Sequence, residues 1–381
     1  MGNENSEKEN KNNEENKTEF ILTNNIIMDI IIFYNYEKKY ESISNEMLDN
    51  NKKTNNNYIY IVCGLINGFI EIYNIYNNKF KLSISFKAHR DLISKIIQLR
   101  KSGYLLTSSF DNSLKIFKLS NNCNKETLIY IFYLNIIFNR INDIIEMSFN
   151  NNIIISVMNN IINFPINKNI LSEEKNNLSD YYYSKYEHQK NYLNNLLEIN
   201  NDILVSLDDI NDKLLFFKLF YTEEKSDDIT LIKTIKININ NYNKTNINFR
   251  NNFEKKKYIE SLKPKYNCIL ILYNYSFIII DIKYLEIVSF FEIKTNMNSF
   301  LIYHKNYDKI FLLNKKYVYK YKINNNNNNI FEIEKVNKKN VNIDYIINLN
   351  EVQKFIFSPL NENKIFVFYK KILMTIDLFN F

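Results

Sequence analysis

The chain has 381 residues, of which 45% are hydrophobic and 15% aromatic, so it can bury a large core. Its formal net charge is +7, but the basic residues are scattered and only four are arginine, whereas a phosphate-binding surface usually clusters Arg and Lys. This composition argues against a dedicated nucleic-acid-binding protein, and its wealth of Tyr and Phe with very little Ala favours sheet over helix.

The N-terminal residues form a polar tail. Residues 1–17 are mostly Asn, Glu and Lys without apolar periodicity, which is typical of disorder. From there on, short apolar stretches alternate with Asn-rich turns, and the first two predicted strands are Thr18–Leu22 and Ile26–Tyr34. No stretch reaches the roughly 18 consecutive apolar residues of a membrane span. We expect an intracellular protein, cytoplasmic or nuclear, without a signal peptide.

A hairpin pattern recurs seven times after these strands. Each copy has an apolar strand, a short polar turn and a second strand that ends in an aromatic residue or Ile plus a Leu or Ile. The copies begin at residues 58, 104, 152, 202, 268, 309 and 364, and the clearest is YLLTSSFDNSLKIFKL, Tyr104–Leu119. Spacings of about 40–50 residues are typical of four-stranded propeller blades. We expect low-complexity loop inserts near residues 168–195, 221–265 and 324–329.

The last copy lacks one strand. Residues 351–378 supply three strands, and Thr18–Leu22 at the other end of the chain can supply a fourth. Because closure removes the open edges of a ring of sheets, we expect Thr18–Leu22 to complete the last blade. The sequence thus predicts an all-β chain with a single seven-bladed β-propeller over residues 18–381.

One repeat carries a recognisable motif. In the stretch Phe86–Leu119, an Ala-His dipeptide ends at His89, Ser109 and Asp111 flank a turn, and a Phe-Lys dipeptide begins at Phe117. This stretch resembles a WD40 repeat, with Phe117 in place of the family's Trp. In that family the Asp accepts a hydrogen bond from the His, and the His bonds the Ser on the next strand. The resemblance implies a WD40-like propeller with a structural network of His89, Ser109, Asp111 and Phe117.

The resemblance also bears on function. The run ISKIIQLRKSGYLLTSSFDNSLKIFKL is similar to the G-protein-β-like propeller subunit of the ASTRA complex, which helps phosphatidylinositol-3-kinase-related kinases to mature. This implies a scaffold that binds other proteins of a complex through turns at the rim, with Arg90, Asp91, Arg140 and Asp143 as candidate contacts. An alternative is a propeller subunit of a ribonucleoprotein, rRNA-processing assembly with weak RNA contacts.

Residue types that could carry catalysis do not form a recognisable pattern. Cys63, Cys123 and Cys268 lie far apart, and no Cys or His spacing is typical of zinc. The pair Asp208-Asp209 falls in a predicted turn, where Asp stabilises tight geometry. We therefore expect no enzyme activity, no metal and no cofactor.

The first residues carry a modification motif. The start MGNENS matches the N-myristoylation pattern, which would modify Gly2 after Met removal. A single myristoyl chain anchors a protein only marginally without a basic patch, and the neighbouring residues are largely acidic. A third hypothesis is therefore a myristoylated membrane-peripheral adaptor, whose membrane contact depends on Gly2.

Overall fold

The computed structural model describes only part of the chain. The described residues are 17–21, 25–35, 58–76, 79–133, 141–148, 150–164, 184–187, 193–200, 202–208, 213–220, 229–237, 257–261, 268–273, 276–292, 300–304, 309–313, 317–325, 331–340, 352–357, 364–369 and 372–377. Within these ranges, 28 strands form seven four-stranded sheets. Among these residues there is no helix long and apolar enough to cross a bilayer.

The smaller of two compact units comprises Phe20–Ile141 and Ile166–Tyr181. It holds two sheets, each ordered as the strands occur in the chain. The first sheet contains β2 (Ile27–Asn35), β3 (Tyr58–Leu65), β4 (Phe69–Tyr76) and β5 (Lys79–Lys87), numbered after the N-terminal strand β1 (Lys17–Ile21). The second contains β6 (Ile93–Gln98), β7 (Leu105–Ser109), β8 (Ser113–Leu119) and β9 (Glu126–Tyr133).

The larger unit comprises Met1–Glu19, Asn142–Pro165 and Tyr182–Phe381. Its first sheet contains β10 (Ile141–Glu146), β11 (Ile153–Val157), β12 (Asn160–Phe164) and β13 (Ser184–Glu187). The next contains β14 (Leu193–Asn200), β15 (Ile203–Asp208), β16 (Lys213–Leu219) and β17 (Ile229–Lys236). It is followed by the sheet of β18 (Lys257–Ser261), β19 (Cys268–Tyr273), β20 (Ser276–Asp281) and β21 (Glu286–Glu292).

Two further sheets follow in the chain. One contains β22 (Phe300–His304), β23 (Lys309–Leu313), β24 (Tyr317–Asn325) and β25 (Phe331–Asn340). The other has the order β1 (Lys17–Ile21), β28 (Ile372–Asp377), β27 (Lys364–Tyr369) and β26 (Val352–Phe357). The N-terminal strand thus lies beside the C-terminal one, in the place where the sequence predicted Thr18–Leu22.

Each of the seven predicted hairpins corresponds to the second and third strands of one sheet. The pairing is antiparallel in every case, from β3–β4 to β27–β28. Alternating apolar residues and short polar turns specify such hairpins locally, which explains why the pattern could be read from the sequence.

The predicted loop inserts were partly wrong. The insert at 168–195 contains β13 and the start of β14, and the insert at 221–265 contains β17 and β18. The predicted tail also ends one residue too late, because Lys17 already belongs to β1. Outer strands have only one neighbour and tolerate polar residues, so their sequences resemble loops. Residues 1–16 and 326–330 lie outside the described part of the chain.

A β-bulge recurs between the third and fourth strands. The register shifts directly before one residue of the third strand in five sheets, and that residue is always the aromatic or Ile of the repeated pattern: Tyr73, Phe117, Phe217, Ile280 and Tyr321. All five side chains are buried. A bulge bends its strand and increases the local twist. The repeated position therefore marks where the fourth strand of these five sheets bends.

The cores lie between neighbouring sheets. In the smaller unit, Val62, Ile72, Ile93, Leu105 and Phe117 belong to one buried cluster drawn from both sheets. In the larger unit, one cluster joins the β10–β13 and β14–β17 sheets, and another joins the β14–β17 and β18–β21 sheets. Face-to-face burial of apolar side chains is therefore the main stabilising contact between sheets.

Candidate functional site

The turn between β5 and β6 is the best-defined candidate site. It is anchored by His89, whose side chain is fully buried. Nε2 of His89 lies 2.8 Å from Oγ1 of Thr107, and Nδ1 lies 3.1 Å from both carboxylate oxygens of Asp111. Nδ1 is also 3.0 Å from Oγ of Ser113. The ring therefore connects the turn to both strands of the following hairpin.

These contacts fix the tautomer of His89. The hydroxyl of Ser113 donates to Asp111 at 2.6 Å, so its proton is not available to the ring. Because the Asp111 carboxylate only accepts, Nδ1 of His89 must carry the proton and donate it. The neutral ring then accepts the Thr107 hydroxyl proton at Nε2.

The pKa values agree with a neutral histidine beside a carboxylate. Burial lowers the pKa of His89 below its usual value, and this outweighs the raising effect of Asp111. Burial would raise the pKa of Asp111, but hydrogen bonds from His89, from Ser113 and from the Arg90 N–H together lower it. The pair is thus held as neutral imidazole and charged carboxylate.

The role expected for Ser109 was wrong. His89 contacts Thr107, which lies two residues earlier on the same face of β7. The hydroxyl of Ser109 instead donates to the Asp91 carbonyl at 3.1 Å and accepts from the Asp111 N–H at 3.1 Å. Ser109 therefore fixes the base of the turn rather than the histidine ring.

Phe117, which the sequence analysis aligned with the Trp of a WD40 repeat, has a side chain without a hydrogen-bond donor. Its ring packs edge-on against Phe86 with centroids 5.2 Å apart and is buried. The Thr107 hydroxyl also lies 3.3 Å from the carbonyl of Lys115, but its shorter contact, at 2.8 Å, is with Nε2 of His89. An aromatic side chain without a donor keeps the packing of this position but cannot extend the polar network.

The hairpin of β3 and β4 also holds the β5–β6 turn through its backbone. The carbonyl of Gly68 accepts the N–H groups of Ala88 and His89, both at 3.0 Å. Gly68 has a φ of 77°, and a Cβ there would collide with the carbonyl oxygens of His89 and Asp91. Only glycine fits this close approach, which explains one of the four glycines of the chain.

Two of the predicted rim contacts lie on this turn. Arg90 and Asp91 are exposed, while the Arg90 N–H donates to Asp111 at 2.9 Å and an Asp91 carboxylate oxygen accepts the Leu92 N–H at 2.6 Å. Their side chains are thus presented to solvent from a rigidly held backbone. Such a turn can bind a partner at little entropic cost.

Asp143 was wrongly predicted as a rim contact. It is buried, and its carboxylate accepts the N–H groups of Ile144 and Leu196, each at 2.9 Å. A carboxylate used in this way joins strands and is not presented to a partner. Arg140 and Gly2 lie outside the described residues.

The sequence analysis did not predict a pair of hydrogen bonds that links the first strands of two neighbouring sheets and that occurs twice. In the smaller unit, Asp29 on β2 accepts the Ile96 N–H of β6 at 2.8 Å, and the Gln98 side chain accepts the Tyr34 N–H at 3.0 Å. We call this pair of contacts the first staple. The Gln98 amide also donates to the Tyr34 carbonyl at 2.8 Å.

The same joint occurs between β10 and β14 of the larger unit. Asp143 accepts the Leu196 N–H, and Glu198 accepts the Ser148 N–H at 2.8 Å. We call this the second staple. In both staples the second acceptor follows the first donor by two residues, and the second donor follows the Asp by five. The signal in the sequence is an Asp at the third position of a first strand, which is recognisable only once both strands are aligned.

Groups suited to metal or acid–base chemistry are dispersed in the described part of the chain. No three His, Cys, Asp or Glu side chains there lie close enough to hold a metal ion. The three cysteines are buried, and burial raises the pKa of Cys63 and of Cys268. Asp208 was expected in a turn but is a buried residue of β15, and Asp209 lies outside the described residues.

Comparisons with known proteins identify the fold. No protein-family model matches the chain, and no curated protein sequence matches it. Among solved structures, Sqt1 from Saccharomyces cerevisiae is similar with a TM-score of 0.53 and 10% identity, over 84% of this chain and 80% of that one. Sqt1 from Chaetomium thermophilum, bound to the N-terminus of ribosomal protein L10, has a TM-score of 0.55 and 8% identity over the same shares.

A third similar structure is the periplasmic gluconolactonase PpgL from Pseudomonas aeruginosa. Its TM-score is 0.54 at 6% identity, over 73% of this chain and 82% of that one. One of these similar chains is an enzyme and two are Sqt1 proteins, so the likeness concerns architecture and not activity. Together with the four-stranded antiparallel sheets, the comparisons show that the chain has a β-propeller fold.

Proposed function

We propose that the chain is a seven-bladed WD40-type propeller, completed by Lys17–Ile21 in its last blade, that serves as an intracellular, non-catalytic scaffold in a multiprotein complex. Support for seven blades comes from the seven four-stranded sheets of the described residues and from the position of β1 beside β28. Support for the WD40 type comes from the network of His89, Asp111 and Thr107.

The turn at Arg90 and Asp91 is the observation that carries the scaffold proposal. A buried histidine, a buried serine and a glycine backbone all hold this turn, yet its two charged side chains point into solvent. Holding an exposed charged pair on a rigid base favours binding, since little conformational entropy is lost when the partner arrives. The partner would offer a carboxylate to Arg90 and a cation to Asp91.

The comparison with Sqt1 supports a protein partner. Sqt1 from Chaetomium thermophilum is bound to the N-terminus of a ribosomal protein, so a chain of this fold presents a surface to a segment of another protein. We propose the same kind of contact here, with a different partner because the identity is only 8%.

The test is affinity purification of the tagged protein from its own cells, followed by mass spectrometry. The double variant Arg90→Ala/Asp91→Asn changes only exposed groups, because Asn still accepts the Leu92 N–H. We expect it to lose a stoichiometric partner. The matched control is Arg100→Ala/Lys101→Ala, which changes two exposed cations in the turn at the other end of β6 and should keep that partner.

Other outcomes would contradict the proposal. Retention of every partner by the Arg90→Ala/Asp91→Asn variant would exclude the turn as the contact. Recovery of ribosomal precursors that disappear after nuclease treatment would instead favour the ribonucleoprotein assembly, and the binding would then fall steeply with salt.

A further inference from the structure

Exposed aliphatic side chains recur beside the bulges of the outer strands. In the larger unit, Leu231 on β17 lies opposite Phe217, and Ile232 is the extra residue of that bulge. On β21, Val288 is the extra residue of the corresponding bulge. These side chains are 37%, 44% and 40% exposed, respectively.

The two outer strands lie close together. Nζ of Lys233 on β17 donates to the Tyr284 carbonyl at 3.0 Å, and it lies 3.9 Å from a carboxylate oxygen of Glu286 on β21. Tyr284 itself is 62% exposed, in the turn that leads into β21. We call Leu231, Ile232, Tyr284 and Val288 the outer ridge.

The bulges determine what kind of partner the outer ridge can accept. A bulge interrupts the ladder of backbone groups and twists the edge away, so β17 and β21 are poor templates for an added strand. A partner must therefore contact the side chains of the outer ridge and not its backbone.

The surroundings of the outer ridge are cationic. Lys213 and Lys236 stand directly opposite each other on β16 and β17, and like charges in this position are destabilising. The Lys283 ammonium lies 5.0 Å from the centre of the Tyr284 ring, and the Lys218 ammonium lies 5.3 Å from the Phe220 ring, with Phe220 43% exposed.

Nearby carboxylates offset only part of this charge. Lys218 lies 3.8 Å from Asp202, and Lys233 lies 3.9 Å from Glu286, but all four side chains are well exposed. Water and salt screen such pairs. An anionic partner would therefore relieve the repulsion between Lys213 and Lys236.

We propose that the outer ridge binds the surface of an anionic lipid bilayer. Exposed aliphatic and aromatic side chains with lysines on the same strands and turn match an interface in which apolar groups enter the acyl boundary and ammonium groups reach phosphates. This inference goes beyond the proposed scaffold function and does not depend on it. It also supplies the second membrane signal that a single myristoyl chain at Gly2 would need.

The test is co-sedimentation of the full-length, unmodified protein with vesicles. One vesicle type is phosphatidylcholine alone, and the other contains equal amounts of phosphatidylcholine and phosphatidylserine. We expect binding to the second type only, decreasing as salt is raised. Absence of binding to the anionic vesicles, or equal binding to both types, would overturn the proposal.

Two variants locate the contact. The triple variant Leu231→Thr/Ile232→Thr/Val288→Thr keeps residues that suit strands, and we expect its affinity for anionic vesicles to fall at least about tenfold. The double variant Lys236→Glu/Lys283→Glu reverses two charges without changing the aliphatic side chains, and it should weaken binding as strongly.

The matched control is Leu128→Thr. Leu128 is 44% exposed and lies opposite Phe117 at the same register position, but it belongs to β9 of the smaller unit and not to the outer ridge. We expect it to bind anionic vesicles like the parent. If Leu128→Thr lost as much affinity for anionic vesicles as the triple variant, the outer ridge would not be the contact. The same conclusion would follow if the triple variant kept vesicle binding but lost a protein partner.

Discussion

Two pairs of neighbouring sheets are linked by a staple, and the first pair also contains the candidate functional site. The first staple joins the β2–β5 and β6–β9 sheets, and the second joins the β10–β13 and β14–β17 sheets, with the same spacing of donors and acceptors. Among the described residues, the first pair also has a network around His89. The staples use backbone N–H groups and therefore tolerate drift of the surrounding sequence.

The described residues show the staple in both pairs of sheets. In the first pair, the His89 network additionally holds a turn with exposed charges. In β15, Ser206 takes the register position that Thr107 has in β7, and it is fully buried too. Both sheets thus place a buried hydroxyl at this position. Variants of the His89 network and of the staples show how much each contributes to the free energy of unfolding.

The largest expected effect is that of Asp111→Ala. The change removes the acceptor of His89, of the Ser113 N–H and hydroxyl and of the Arg90 N–H, so we expect a loss of about 3 kcal/mol in the free energy of unfolding. Urea denaturation measures it. The control Asp202→Ala removes an exposed partner of Lys218 and should cost less than about 0.5 kcal/mol. Equal losses in both would mean that the network contributes no stability.

The Asp residues of the staples rank next. Asp29→Ala and Asp143→Ala each leave a buried backbone N–H without its acceptor, so each should cost about 2 kcal/mol. Thermal and urea unfolding of the two variants test whether the staples are equivalent. If only one of the two variants lost stability, the two staples would share a geometry but would not contribute equally to the free energy of unfolding.

The outer ends of the staples should contribute less. Gln98 and Glu198 contact the N–H groups of exposed residues, so Gln98→Ala and Glu198→Ala should each cost about 0.5–1 kcal/mol. Because Gln98 serves this role in the first staple, Glu198→Gln should change the free energy of unfolding by less than about 0.5 kcal/mol. A larger loss for Glu198→Gln would show that the charge of Glu198 matters beyond the shared geometry.

The smallest effect is a pH dependence just below neutrality. The pKa of His89 is lower in the folded chain than its usual 6.5, so the unfolded chain takes up the proton more readily. Stability is therefore full above pH 6.5 and decreases as the pH falls below it. The lowered pKa of Asp111 adds a further loss below about pH 3.8. Urea midpoints between pH 7.5 and pH 5 measure the first step, at about half-unit intervals.

The variant His89→Gln serves as the control for this step. It removes the titrating ring, while His188 and His304 remain. We expect the dependence between pH 7.5 and pH 5 to shrink in this variant. An unchanged slope would assign the proton uptake to another group.

Much of the local structure could be predicted. The seven hairpins and the strands at both ends of the described chain follow from alternation and turn residues, and the resemblance to a WD40 repeat implied the contact between His89 and Asp111. The edge strands β13, β17 and β18 were expected as loops, because polar residues at an edge carry no clear alternation.

The amino-acid sequence by itself determined which segments pair as hairpins, since a hairpin depends on residues that are neighbours in the chain. Only the tertiary structure decided that His89 contacts Thr107 and not Ser109, and that Asp143 is buried in a staple. It also decided that the outer ridge combines two strands more than 50 residues apart. The physical reason is that packing between sheets sets which position along a strand meets a neighbouring turn and which side chains are buried, and neighbours in the chain do not fix either.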